Sequence, residues 1–177
     1  SRSFDSDYSR SNDVLHTGAF ASQLWLLLPG GRYSRELRFP PLIFDGQTFR
    51  FDLPGTHIAD LNGDRLQDLA CMQSNPVVYF PTRGRGEFAT PVVLSLGRTL
   101  SAVEIERTGF SDIDGDGLVD LTVVRPAFLP NGLAYWLNRF EHGLEGPRSV
   151  DGLPAQQSGD ALRWADMNGN GTTDIVI

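Results

Sequence analysis

The sequence predicts an all-β chain built from β-propeller repeats of about 53 residues, and three observations carry that prediction. A nine-residue aspartate-rich pattern recurs along the chain at a near-constant spacing. Short apolar runs follow each copy and read as buried strands. Gly (19) and Pro (11) are plentiful in the 177 residues, which suits many short strands joined by tight turns. No stretch shows a convincing 3.6-residue amphipathic period, so no helix is expected.

The pattern is clear at Asp60-Leu-Asn-Gly-Asp-Arg-Leu-Gln-Asp68, Asp112-Ile-Asp-Gly-Asp-Gly-Leu-Val-Asp120 and Asp166-Met-Asn-Gly-Asn-Gly-Thr-Thr-Asp174. A weaker copy is Asp5-Ser-Asp-Tyr-Ser-Arg-Ser-Asn-Asp13. The copies start 55, 52 and 54 residues apart, which suits one four-stranded blade per repeat. Runs expected to be the first strand after each loop are Val14-Leu15, Leu69-Ala-Cys-Met72, Leu121-Thr-Val-Val124 and Ile175-Val-Ile177. A second strand is expected at Leu24-Trp-Leu-Leu27, Val77-Val-Tyr-Phe80 and Leu133-Ala-Tyr-Trp136. Polar turns containing Gly follow at 83–86 and 139–143, and a third strand comes next. A fourth strand leading into the next loop is expected at Phe49-Arg-Phe-Asp52, Ala102-Val-Glu-Ile105 and Ala161-Leu-Arg-Trp164. Pro40-Pro41 and Asp45-Gly46 mark an extended hairpin or an insertion in the first repeat. The whole chain, 1–177, reads as one propeller fragment of about three blades plus edge strands. That is fewer than the usual four to eight. Further blades of a longer chain would complete the ring, or a second copy would close it as a homo-oligomer of six blades.

Oxygen-bearing side chains at positions 1, 3 and 5 let a tight loop wrap one ion. A backbone carbonyl at position 7 and a carboxylate at position 9 complete the shell. The competing reading is an ion-free Asp/Asn/Gly turn whose side chains cap their own backbone. Ca²⁺ favours this flexible all-oxygen coordination, Mg²⁺ demands a stricter octahedron, and Zn²⁺ prefers His or Cys. The candidate ligands are Asp112, Asp114, Asp116, Leu118 and Asp120; Asp60, Asn62, Asp64, Leu66 and Asp68; Asp166, Asn168, Asn170, Thr172 and Asp174; and Asp5, Asp7, Ser9 and Asp13. Charge ranks the 112–120 loop first, with four carboxylates, and the 166–174 loop last, with two. An EF-hand needs Glu at position 12, where this chain has His16, Cys71, Val123 and Ile177. Gly at position 4 (Gly63, Gly115, Gly169) suits a tight wrap.

These residues resemble the FG-GAP/VCBS repeat of integrin-like propellers, a family in which the loop binds a structural Ca²⁺ at the blade edge. Arg163-Trp-Ala-Asp-Met-Asn-Gly-Asn-Gly-Thr-Thr-Asp-Ile-Val-Ile177 and Tyr135-Trp-Leu-Asn138 also look like the propeller region in the B component of bacterial insecticidal Tc toxin complexes and Rhs-type proteins. That resemblance implies a structural part in a shell that holds a toxic effector and docks onto a pore subunit.

The remaining features exclude more than they add. A net charge of −7 argues against nucleic acid. No apolar run approaches the length of a membrane-spanning helix, and the first residues do not read as a signal peptide. The single Cys71 sits in an apolar run and reads as a core residue. His16, His57 and His142 fall in unrelated contexts without a nucleophile motif, so no enzyme is expected. Trp25, Tyr79, Tyr135, Trp136 and Trp164 read as core aromatics, with a sugar-binding platform as the competing reading. The expected function is a non-catalytic structural or protein-interaction module of a secreted bacterial toxin-type assembly. An extracellular adhesion or glycan-binding propeller is the alternative. Both place the protein outside the cell or at the bacterial surface.

Overall fold

The computed structural model describes residues 2–4, 13–17, 22–28, 31–34, 37–39, 41–50, 53–72, 75–84, 86–154 and 163–176. Strands dominate, and the chain forms two compact units. One holds Ser1–Met72 with Val78–Val93, and the other holds Gln73–Val77 with Leu94–Ile177.

In the first unit, β1 (Arg2–Phe4), β2 (Asp13–Thr17) and β3 (Ser22–Trp25) are followed by a small hairpin of β4 (Leu27–Leu28) and β5 (Arg32–Tyr33). The chain then returns as β6 (Leu37–Phe39), giving a sheet in the order β1-β2-β3-β6. The extended hairpin or insertion expected around Asp45-Gly46 takes the form of a hairpin, β7 (Leu42–Phe44) with β8 (Gln47–Phe49). Asp45 and Gly46 both take positive φ (49° and 71°), as a two-residue hairpin turn requires.

The second sheet repeats the plan with β9 (Thr56–Ala59), β10 (Asp68–Met72) and β11 (Val77–Phe80). Its side hairpin is β12 (Thr82–Gly84) with β13 (Glu87–Phe88), and β14 (Val92–Leu94) completes the order β9-β10-β11-β14. Leu69, Cys71, Val78 and Phe80 pack with Leu26 and Phe49, and the Phe49 and Phe80 rings lie 5.2 Å apart at 59°. Cys71 is a core residue, and burial pushes its thiol up to about 12.

In the second unit a short helix, α1 (Ala102–Glu106), precedes a four-stranded meander of β15 (Thr108–Ser111), β16 (Asp120–Val124), β17 (Gly132–Asn138) and β18 (Leu144–Asp151). β19 (Arg163–Ala165) and β20 (Asp174–Val176) then pair as the opening of a further repeat. The middle strands β10 and β16 are buried along nearly their whole length. Their sequences therefore read as continuous apolar runs rather than alternating ones. The outer strand β18 is almost wholly exposed and accordingly polar.

The structure corrects the placement of the fourth strands. The strand before each loop opens the sheet that follows it: β9, β15 and β19 each pair with the strand after the loop. Phe49 ends β8, and residues 51 and 52 lie outside the described residues, as do 161 and 162. Residues 102–105, expected as strand, are helical because Ser101 and Glu104 form a capping box. The Ser101 hydroxyl accepts the Glu104 amide, and Glu104 Oε2 accepts the Ser101 amide at 2.8 Å. Arg98 Nη2 and the Ala127 amide reach the other oxygen of Glu104 at 3.3 and 3.2 Å. Burial alone would raise the Glu104 carboxyl, but the Ser101 and Ala127 hydrogen bonds and the Arg98 charge hold it below its ordinary value.

Candidate metal centre

Each clear aspartate loop is the turn between the first two strands of a sheet. In all four copies the position-9 residue pairs with the residue just before position 1: Phe4↔Asp13, Ala59↔Asp68, Ser111↔Asp120 and Ala165↔Asp174. The 5–13 copy thus shares the closing register, while its Asp5, Asp7 and Ser9 lie outside the described residues.

The three clear loops are built alike. The position-1 carboxylate accepts the amides of positions 4 and 6. For Asp112 these are Gly115 and Gly117 at 2.8 and 3.0 Å, for Asp60 they are Gly63 and Arg65 at 2.8 and 2.7 Å, and for Asp166 they are Gly169 and Gly171 at 2.7 and 2.9 Å. At position 5, Asp116, Asp64 and Asn170 accept the amides of Leu118, Leu66 and Thr172. At position 3, Asn62 and Asn168 accept the amides of Asp64 and Asn170. These bonds curl each loop tightly back on its own backbone.

Position 6 must adopt positive φ, and Gly117 (92°) and Gly171 (85°) do so readily. Arg65 is held there at 70°. Arg65→Gly is therefore expected to stabilise the protein by about 0.5–1 kcal/mol, the left-handed strain removed less the added freedom of the unfolded chain. A lower denaturation midpoint for the variant would contradict this.

The position-9 carboxylates play a different part. Asp120 is fully buried, and its two oxygens accept the amides of Ile113 and Asn138, both at 2.8 Å. Asp68 likewise accepts Leu61 and Thr82, at 3.2 and 2.8 Å, and Asp174 accepts Met167 at 3.0 Å. Position 9 thus ties the loop to its own sheet and, through Asn138 and Thr82, to the end of the next strand or just beyond it. Burial raises both Asp68, to about 7, and Asp120, with the neighbouring loop aspartates adding and the amide bonds opposing.

Among the described residues, the carboxylates that converge within ligand distance are Asp112, Asp114 and Asp116, whose oxygens lie within 4.8 Å of one another. A cation does meet them. The Arg139 guanidinium places Nη1 2.9 Å from both Asp114 Oδ2 and Asp116 Oδ2. The donor set suits Ca²⁺, being hard, anionic and all oxygen. In the 60–68 loop, Asn62 Nδ2 instead donates to Asp64 Oδ2 at 3.0 Å. The 112–120 and 166–174 loops also touch: the Thr173 amide and hydroxyl both donate to the Asp112 carbonyl, and Ser111 Oγ lies 3.0 Å from Thr173 Oγ1. Sequence reasoning assigned Arg139, Asn138, Thr82 and Thr173 no part in holding these loops. Their contacts span 14 to 61 residues, and nothing in the nine-residue pattern points to those contacts.

The FG-GAP-like repeat model matches residues 60–123 and again 112–177. The chain belongs to the FG-GAP-like repeat family. Each match covers two aspartate loops, so the FG-GAP-like signal coincides with the hairpins just described. Curated proteins yield no match. Among solved structures, the FG-GAP-like chain is similar to the Tc holotoxin pore of Photorhabdus luminescens, with a TM-score of 0.71 at 22% identity over 93% of this chain. It is also similar to TcdB2-TccC3 without its hypervariable C-terminal region, with a TM-score of 0.61 at 21% identity over 88%. A third similar structure, TcdB2-TccC3-Cdc42, gives 0.57 at 23% identity over 92%. At these identities the likeness establishes the fold, a β-propeller fragment. The chain spans only 7–8% of the length of these structures.

Proposed function

We propose that this chain is a non-catalytic, Ca²⁺-stapled length of β-propeller within a larger secreted bacterial toxin-type protein, where it forms wall and docking surface for other subunits or blades. The observation that carries the calcium reading is the convergence of Asp112, Asp114 and Asp116 within 4.8 Å, already drawing a cationic group from the chain itself. Three carboxylates so close repel one another, and a divalent ion relieves that repulsion while locking a loop that joins two strands. The pattern recurs once per repeat of about 53 residues, which fits a staple better than a single active site. The toxin reading is supported by the fold shared with the Tc holotoxin pore and TcdB2-TccC3 structures. Their far greater length favours completion of the ring by further blades of one chain over closure by a second copy.

A glycan-binding propeller is the second reading. A cavity of about 300 Å³, lined by Trp164, Arg107, Arg125 and Thr122 among others, favours it. Trp136 cannot contribute an aromatic platform, because it is fully buried.

Calcium added to metal-stripped protein is expected to raise the melting temperature, by about 2.7 kcal/mol of stabilisation at roughly a hundred times the Kd, and EDTA is expected to reverse it. Bound Ca²⁺ favours the ionised form of Asp68, whose folded-state value near 7 lies above its unfolded one. Protons therefore compete with calcium, and the shift should be larger at about pH 8 than at about pH 6. A melting curve of stripped protein that ignores both calcium and EDTA would sink the calcium reading.

A further inference from the structure

The geometry points to Arg139 as a built-in competitor for the cation site of the 112–120 loop, one that sets how much Ca²⁺ the site needs before it fills. The inference rests on the calcium reading above. Arg139 Nη1 bridges Asp114 and Asp116 at 2.9 Å to each, the place a metal shared by positions 3 and 5 would take. Its backbone is fixed on both sides. The preceding amide, Asn138, is held by Asp120, and the Arg139 amide donates to the Gly143 carbonyl at 2.8 Å. Its side chain is reachable from solvent: it is 32% exposed, and Asp114 (31%) and Asp116 (33%) are similarly open. A second resting place adjoins the first, since Arg139 Nε lies 3.3 Å from Glu145 Oε2. A divalent ion entering the loop would meet the monovalent guanidinium and move it toward Glu145, while the main chain keeps Arg139 poised to return.

The molecule contains its own comparison. Arg83 follows Thr82, whose amide is held by Asp68, just as Arg139 follows Asn138. Arg83 is exposed and has no ion pair among the described residues, and its loop carries Asn62 where the other has Asp114. The guanidinium settles where two carboxylates face it and stays in solvent where one is replaced by an amide. Arg139 also offsets one of the four carboxylate charges at the 112–120 loop, so carboxylate number alone overstates the affinity of that site.

Calorimetric titration of Ca²⁺ into the metal-stripped 177-residue chain tests this. Arg139→Gln should bind calcium about tenfold more tightly at its strongest site, the effect of removing one positive charge a few ångströms away in a partly exposed setting. Arg139→Lys should fall between the two, because it keeps the charge without the fork, and Arg83→Gln should leave affinity unchanged. Without calcium, Arg139→Gln should melt below the wild type. Unchanged or weaker calcium affinity in Arg139→Gln, with binding intact in the wild type, overturns the competitor role and leaves the calcium reading standing. Absence of calcium binding in both proteins overturns both.

Discussion

Asp120→Ala is expected to cost about 3–5 kcal/mol of stability, with or without calcium. Its carboxylate is fully buried and both oxygens are used, one by the Ile113 amide and one by the Asn138 amide. Alanine leaves both donors without their acceptor, and Asn138 is itself buried. An unsatisfied buried donor costs about 1–3 kcal/mol; the Asn138 amide becomes one, and the half-buried Ile113 amide loses its acceptor as well. Asp120→Asn restores one acceptor and should lose roughly half as much. The effect should persist at saturating calcium, because the lost bonds belong to the sheet. Chemical denaturation with and without Ca²⁺ separates the outcomes. A loss that calcium fully determines would show Asp120 to be a ligand first and a structural acceptor second.

Trp136→Ala is expected to remove about 3–5 kcal/mol by leaving a cavity in the second unit. Trp136 is fully buried in β17, pairs across to Leu121, and donates its indole N–H to the Leu96 carbonyl at 3.0 Å. Room for the ring depends on Gly146 in β18, where a Cβ would stand 2.9 Å from Trp136 Cδ1 and 2.8 Å from the Tyr135 carbonyl. Trp136→Phe should lose less, because it keeps most of the ring volume and gives up the hydrogen bond to Leu96. Equilibrium unfolding followed by fluorescence of Trp25 and Trp164 measures both variants. A loss under about 1 kcal/mol for alanine would show that the site collapses around the deletion.

Much of this architecture was legible in the sequence for one physical reason: a loop that curls tightly on its own amides repeats its side-chain oxygens at fixed steps. Asp60, Asp112 and Asp166 announce that step, and the register that closes each hairpin follows from it. The buried middle strands showed themselves as unbroken apolar runs such as Leu69-Ala-Cys-Met72. Other features were hidden for equally physical reasons. Five helical residues are too few to display a period, although Ser101 and Glu104 stand three apart as a capping box does. The split roles of the carboxylates were also hidden. Positions 1, 3, 5 and 9 look equivalent in the sequence, yet burial separates Asp120 and Asp68 from their partners, and burial depends on strands that pair many residues away. Arg139 was invisible for the same reason, because its approach to Asp116 crosses 23 residues.

Calcium is proposed to bind the side chains at positions 1, 3 and 5, while position 9 holds the sheet. Asp114 tests it most directly, since it contributes a carboxylate to the cluster without accepting a backbone amide. Isothermal titration of Ca²⁺ into metal-stripped wild type and Asp114→Ala should show saturable binding in the wild type. The tightest site should be lost from the variant, with little change in its calcium-free melting temperature. Identical titrations for the two proteins, or no binding to the wild type, would contradict the claim.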